Sequence, residues 1–199
     1  MEIKRINNSD PQIAEEIAKI HQSVLIDSFL NNFGLKFLKI IYENLLQSND
    51  SITLVSEENG KITGFLVAVP DYSKFLKIAT SKKKIRLLDT ILMTLKWKPW
   101  LTYKIIFSLF KVSKENPHTE LQFIAVVPEY QSQGIGTKLI DQLKKELTGL
   151  GIKKYLVGTK SSDELSNKFY QRLGFTKAYT KKYFGDELNY YLSPEIKEI

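Results

Sequence analysis

From Phe123 to Leu139 the chain reads Phe-Ile-Ala-Val-Val-Pro-Glu-Tyr-Gln-Ser-Gln-Gly-Ile-Gly-Thr-Lys-Leu. The apolar run predicts a buried β-strand, followed by a tight loop and a helix that opens on Gln131-x-x-Gly134-x-Gly136. The first backbone N–H groups of a helix have no partner inside it. They also sit at the positive end of the helix dipole, so this loop is suited to holding a phosphate or pyrophosphate. Glycines let the backbone approach the anion with no Cβ in the way.

Three loop chemistries compete. A phosphate-binding loop of the Gly-x-x-x-x-Gly-Lys-Ser/Thr kind is not supplied by Gly136-Thr137-Lys138. A dinucleotide fingerprint needs a third glycine, where Leu139 stands, and an acidic end to the next strand, which here reads Val157-Gly158-Thr159-Lys160. The third is the acyl-CoA loop, Gln/Arg-x-x-Gly-x-Gly/Ala after a strand ending Val-x-Pro. Residues Val126 to Gly136 match it throughout, and Phe169-Tyr170-Gln171-Arg172-Leu173-Gly174-Phe175 resembles the second signature of the same family. On these two motifs the chain resembles the GNAT N-acetyltransferases, most strongly from Glu120 to Leu192.

The elements that would position these motifs follow from periodicity. Glu2–Ile6 predicts a strand. Ser9-Asp10-Pro11 opens a helix with Ile13, Ile17, Ile20 and Val24 inward. A second helix is expected from Ser28 to Ser48, interrupted by Gly34. Strands are expected at Ser51–Ser56 and Ile62–Val69 around a Glu58-Asn59-Gly60-Lys61 hairpin turn. After an insert come the strand Glu120–Val126, a helix Gly134–Leu147, a strand Lys154–Gly158, a helix Asp163–Leu173, and strands Thr176–Phe184 and Glu187–Leu192. This order matches an α/β (α+β) GNAT acyl-CoA N-acyltransferase fold, a mixed central sheet flanked by helices. The resemblance implies that Glu120–Val126 and Lys154–Gly158 part to admit the pantetheine arm.

Site roles are likewise implied by the resemblance. The N–H groups of Gln133, Gly134, Ile135, Gly136, Thr137 and Lys138, with Gln131 at the head of the loop, would hold the pyrophosphate of acetyl-CoA. Val126 and Val127 would bond the pantetheine arm like an added strand, and one of their N–H groups would face the thioester oxygen. Tyr170 would protonate the leaving thiolate, unless its ring only packs the helix. Glu120 would act as base through a water, unless it is an exposed strand-start carboxylate. His118, Tyr190 and Tyr191 are further candidates. Asp163 stands where many members have Asn. It caps a helix equally well but, ionised, cannot donate to a carbonyl, so Asn167 one turn later is a second candidate for that contact.

Composition frames these roles. The 199 residues carry 43% hydrophobic and 26% charged residues, as in ordinary soluble domains. A single domain spanning 1–199 is expected. Absence of cysteine removes disulfides, thiolate metal sites and thiol nucleophiles; no metal is expected. No apolar run reaches the roughly 20 residues of a spanning helix, and the start of the chain has no apolar signal core. A cytoplasmic enzyme is the expectation.

The net charge of +7 is concentrated: between Ser73 and Asn116 stand 11 Lys and Arg against 2 Asp and Glu. A nucleic-acid partner, which would favour basic charge across the main surface, is not expected. The basic segment 73–116 reads as a helical insert between the third and fourth strands. It admits three roles: a solvated pair of helices, a lid that attracts an anionic acceptor, or peripheral membrane contact through Trp97, Trp100, Phe107 and Phe110. The resemblance implies acetyl transfer to a primary amine of a small acceptor by direct attack in a ternary complex; the lid reading of the insert would make that acceptor anionic, such as a nucleotide-linked amino sugar. A catalytically silent acyl-CoA-binding module and a long-chain N-acyltransferase at a membrane surface are the alternatives. Either a monomer or a homodimer is compatible.

Overall fold

The computed structural model of the chain describes residues 1–8, 10–71, 74, 75, 78, 119–183 and 186–196. Its elements are strand β1 (Glu2–Ile6), helix α1 (Pro11–Val24), helix α2 (Leu35–Leu46), strands β2 (Ile52–Glu58), β3 (Lys61–Val69) and β4 (Glu120–Val126), helix α3 (Ile135–Thr148), strand β5 (Leu156–Lys160), helix α4 (Glu164–Arg172), and strands β6 (Thr176–Tyr183) and β7 (Asp186–Leu192). Seven strands form one sheet in the order β1-β2-β3-β4-β5-β7-β6. All neighbours are antiparallel except β4 and β5. Among the described residues no helix is long and apolar enough to cross a membrane.

The two faces of the sheet bury separate cores. Ile17, Leu38, Ile41 and Tyr42 from α1 and α2 pack on Val55, Phe65 and Val67. Leu139, Ile140, Leu143 and Leu147 of α3, with Tyr170 of α4, pack on Leu54, Leu66, Val157 and Tyr191. Alternation along β2 and β3 sends successive side chains to opposite cores. That is why these strands are apolar at nearly every position.

Several boundaries follow local chemistry. Asp10 caps α1, its carboxylate accepting from the amide of Gln12 at 2.8 Å. Asn59 and Gly60 take φ of 52° and 75°, the left-handed pair that a tight hairpin needs. Two differences from expectation bear on the site. The helix expected at Ser28–Ser48 is a short 3-10 turn, Phe29–Phe33, followed by α2. Gly34, with φ +80° and ψ 173°, lies outside helical space and separates the two. Strand β5 begins at Leu156, two residues later than expected, because its amide meets Thr119 O at 2.9 Å and fixes the start of pairing with β4. The insert expected at 73–116 lies outside the described residues except for Lys74, Phe75 and Ile78.

The relation that positions the site is the short contact between β4 and β5. Only Glu120 with Leu156 and Leu121 with Val157 are paired. Beyond them the strands part, as expected from the sequence.

Candidate active site

A cleft of about 650 Å³ opens where β4 and β5 separate. Its walls come from Val24 at the end of α1 and residues 25–30 after it, the first five residues of β4, strand β5, residues at the start and on one face of α4, and the β6–β7 hairpin. Glu120, Asp163, Tyr170 and Tyr190 line it. Among the sequence candidates these four are brought together. Strand β4 then carries the chain from the cleft, at Glu120–Ile124, to the glycine loop beyond Val127.

That loop is built by its own side chains. Gln131 donates its side-chain N–H to Val126 O at 2.8 Å, and Gln133 to Glu129 O at 3.1 Å. Ser132 and Gly134 adopt φ of 60° and 80°. Gly134 precedes α3, and the first helical bond runs from Lys138 N–H to Gly134 O at 3.0 Å. The amide of Lys138, expected to face the anion, is therefore spent within the helix. Among the described residues the amides of Gln133, Gly134, Ile135, Gly136 and Thr137 make no hydrogen bond. Five open donors at the N-terminus of a 14-residue helix leave positive potential there, as the loop expected from the sequence would require. Gly136 is needed for packing as well, since a Cβ there would lie 3.2 Å from the Phe169 ring.

Val126 and Val127 divide the roles expected of both. The Val127 N–H is donated to Thr63 O at 2.9 Å, so it cannot bond a ligand. Alternation then turns the Val126 N–H away from β3, toward the gap left by β5.

Tyr170 lies at the back of the cleft, 3% exposed. Its ring packs against Phe169, Phe175 and Tyr191 at centroid distances of 5.2, 5.4 and 6.2 Å. Burial, and secondarily Asp163, raises its phenol well above the ordinary value. At neutral pH it is a hydrogen-bond donor. Asp163 caps α4, accepting from the amide and hydroxyl of Ser166 at 3.0 and 2.6 Å.

Asn167 does not reach into the cleft. Its side-chain oxygen accepts from Asn189 and Tyr191 at 2.9 and 2.8 Å, and its nitrogen donates to the carbonyls of Lys160 and Asp163. Those four bonds exhaust an amide, so Asn167 fastens α4 to β7 and has no bond left for pantetheine. Tyr191, 1% exposed, belongs to the same network. Its neighbour Tyr190 faces the cleft, stacked on Tyr179 at 4.7 Å and against Gly158. His118 lies outside the described residues.

Two cleft residues went unnoticed in the sequence. Gln122 is the extra residue of a β-bulge, since Phe123 pairs with Val67 and Leu121 with Ala68. Ser28 is reached by a buried histidine, His21. Only the polar His21 on an otherwise apolar helix face could have signalled it.

Open amides beside parted parallel strands, with a donor phenol and a carboxylate in the adjoining cleft, are the arrangement expected of an acyl-CoA-dependent transferase. The comparisons agree: residues 20–175 match the family described as acetyltransferase (GNAT) family, and the chain belongs to it. It is an N-acetyltransferase of that family. Similar solved structures include an aminoglycoside 6'-N-acetyltransferase complexed with coenzyme A (14% identity, 100% of this chain and 99% of that one, TM-score 0.64). Others are an N-acetyltransferase from Staphylococcus aureus Mu50 (18%, 99% and 100%, TM-score 0.60) and a ribosomal-protein-alanine N-acetyltransferase from Escherichia coli (16%, 100% and 95%, TM-score 0.55). At these identities the likeness is one of fold. No curated protein sequence matches the chain.

Proposed function

We propose that the protein transfers the acetyl group of acetyl-CoA to the primary amine of a small acceptor, by direct attack in a ternary complex. The observation that carries this reading is the row of open amides from Gln133 to Thr137 beside the β4–β5 gap. A pyrophosphate on those amides leaves the pantetheine arm running along Val126 into the cleft. The coenzyme-A complex of the aminoglycoside relative supports the same donor.

The chemistry then falls to few groups. The amine nitrogen, freed of its proton, attacks the thioester carbonyl, and the carbon–sulfur bond breaks as the tetrahedral intermediate collapses. Glu120, through a water, takes the amine proton. The Val126 N–H faces the oxyanion, a contact worth roughly 10²–10³ in rate. The Tyr170 O–H donates to the departing thiolate, within the roughly 10²–10⁴ typical of general acids.

The described cleft wall carries Asp27, Glu120, Asp163 and Asp186 against Lys160 and Lys181, and Lys160 is paired with Asp186 at 3.2 Å. This balance favours an acceptor whose charge is its own ammonium, such as an amino sugar, over an anionic one. The basic residues that suggested an anionic acceptor fall almost entirely outside the described residues.

Calorimetric titration with acetyl-CoA, followed by thiol release with a panel of amines, tests the reading. Binding that is lost in Gly136→Glu, with amine-dependent thiol release, supports it. Absence of acetyl-CoA binding sinks it, and binding without release by any amine leaves a silent acyl-CoA module.

A further inference from the structure

Ser28 presents to the cleft a hydroxyl whose proton direction is set from inside the protein. Tyr42 and His21 are both 0% exposed. The Tyr42 hydroxyl meets His21 Nδ1, and His21 Nε2 meets Ser28 Oγ at 2.8 Å. Ser28 precedes the Phe29–Phe33 turn and lines the cleft, whereas His21 and Tyr42 do not.

The direction of this chain follows from hydrogen-bond satisfaction. With the ring proton on Nδ1, the Tyr42 oxygen would accept it, and the Tyr42 hydrogen would point into the core with no other partner among the described residues. A buried donor left unmade is the costly arrangement. With Tyr42 donating to Nδ1, no buried group is left over: Nε2 carries the proton and donates it to Ser28 Oγ. The Ser28 hydrogen then cannot turn back to His21 and is directed to the cleft. Burial pushes the His21 imidazole down to about 4, so the ring carries one proton near neutral pH, as the argument requires.

A second polar residue stands on the same wall. Gln122, the extra residue of the β4 bulge, lines the cleft, and its buried side-chain nitrogen has no hydrogen-bond partner among the described residues. Bulges beside sites re-aim side chains in this way.

We infer that Ser28 is a specificity-determining residue, its O–H held as a donor by the Tyr42–His21 chain to bind an oxygen carried beside the reacting amine of the acceptor. His21 and Tyr42 are positioning residues. The acceptor is thus an oxygen-bearing amine. The carboxylates on the same wall favour a neutral hydroxyl or carbonyl over a carboxylate. The inference rests on the transferase reading above.

The test uses the full chain. Long-range proton–nitrogen correlation of the ¹⁵N-labelled protein at pH 7 reads the His21 tautomer, with His21→Gln assigning the signal against His118. Protonated Nε2 with bare Nδ1 is expected, and the opposite pattern overturns the chain. Thiol release from acetyl-CoA is then compared for 2-aminoethanol and propylamine, which differ by a hydroxyl in place of a methyl, with rates corrected to free amine. A kcat/KM preference of about 10-fold for 2-aminoethanol is expected from one hydrogen bond. Ser28→Ala should bring it near unity. Tyr42→Phe, which keeps the ring, should lower it and change the His21 nitrogen shifts. Equal rates for the two amines, including no rate with either while acetyl-CoA binds, overturn the inference, as does a preference that survives Ser28→Ala. Failure of acetyl-CoA to bind is a different result: it removes the transferase reading itself, and the acceptor role with it.

Discussion

Val127 gives its amide hydrogen to Thr63 O at 2.9 Å, and this one bond decides which of two adjacent valines keeps an amide open to the gap between β4 and β5. Since β4 alternates, the Val126 N–H points the other way, into the gap. Val126→Pro therefore removes a donor that the sheet does not use. We expect the variant to fold and to bind acetyl-CoA, with kcat lower by roughly 10²-fold. Val126→Ile, which keeps the N–H, should be nearly silent. Steady-state rates alongside thermal unfolding check both. A Val126→Pro enzyme with unchanged kcat would take the oxyanion role from this amide.

Gly136 packs against α4, and in the proposed reading its amide also faces the anion. A Cβ would meet Phe169 at 3.2 Å, tight enough that the ring must shift. Gly136→Ala should weaken acetyl-CoA binding by about 10-fold, and combining it with Phe169→Leu should restore part of that loss, since contacting residues couple. Gly136→Glu, which adds a negative charge to the cradle, should weaken binding by ~100-fold or more. Calorimetric Kd values decide. Additive losses in the double variant would show that Phe169 is not the obstacle.

Features set by neighbouring residues were legible in the sequence. The Asn59-Gly60 turn, the Asp10 and Asp163 caps and the glycine loop each follow from a few adjacent positions. So does the parting of β4 from β5, once the two motifs identify the fold. Features set by distant residues were not. The start of β5 depends on Thr119. The division between Val126 and Val127 depends on Thr63. The saturation of Asn167 depends on Asn189 and Tyr191, which a different hairpin supplies. The Tyr42–His21–Ser28 chain joins two helices and a loop, and no spacing within any one of them announces it.

Tyr170 combines a packed ring with a hydroxyl in the cleft, and Tyr170→Phe separates them. The ring contacts with Phe175 and Tyr191 survive, so stability should change by less than about 1 kcal/mol. If the hydroxyl protonates the thiolate, kcat should fall by roughly 10²-fold at constant acetyl-CoA affinity. Because burial raises this phenol above its ordinary value of 10.0, wild-type kcat should show no loss from Tyr170 ionisation up to about pH 10. A fully active Tyr170→Phe enzyme would leave the residue a packing role only.

His21 makes folding stability depend on pH in a direction that can be worked out. Its imidazole is lowered from an ordinary 6.5 to about 4 by burial. Between those values the unfolded chain binds a proton that the folded chain refuses, so stability rises with pH across that window. The contribution is whole above about 6.5 and is lost as pH falls toward 4. From pH 7 to pH 5 the loss is about 2 kcal/mol. Urea unfolding of wild type and His21→Gln at both pH values isolates it, because His118 and the surface carboxylates are common to the two proteins. The wild type should lose about 2 kcal/mol more than the variant over this interval. Parallel losses would mean that the folded protein accommodates the charged ring, and a second proton on His21 would then undo the single-tautomer argument for Ser28.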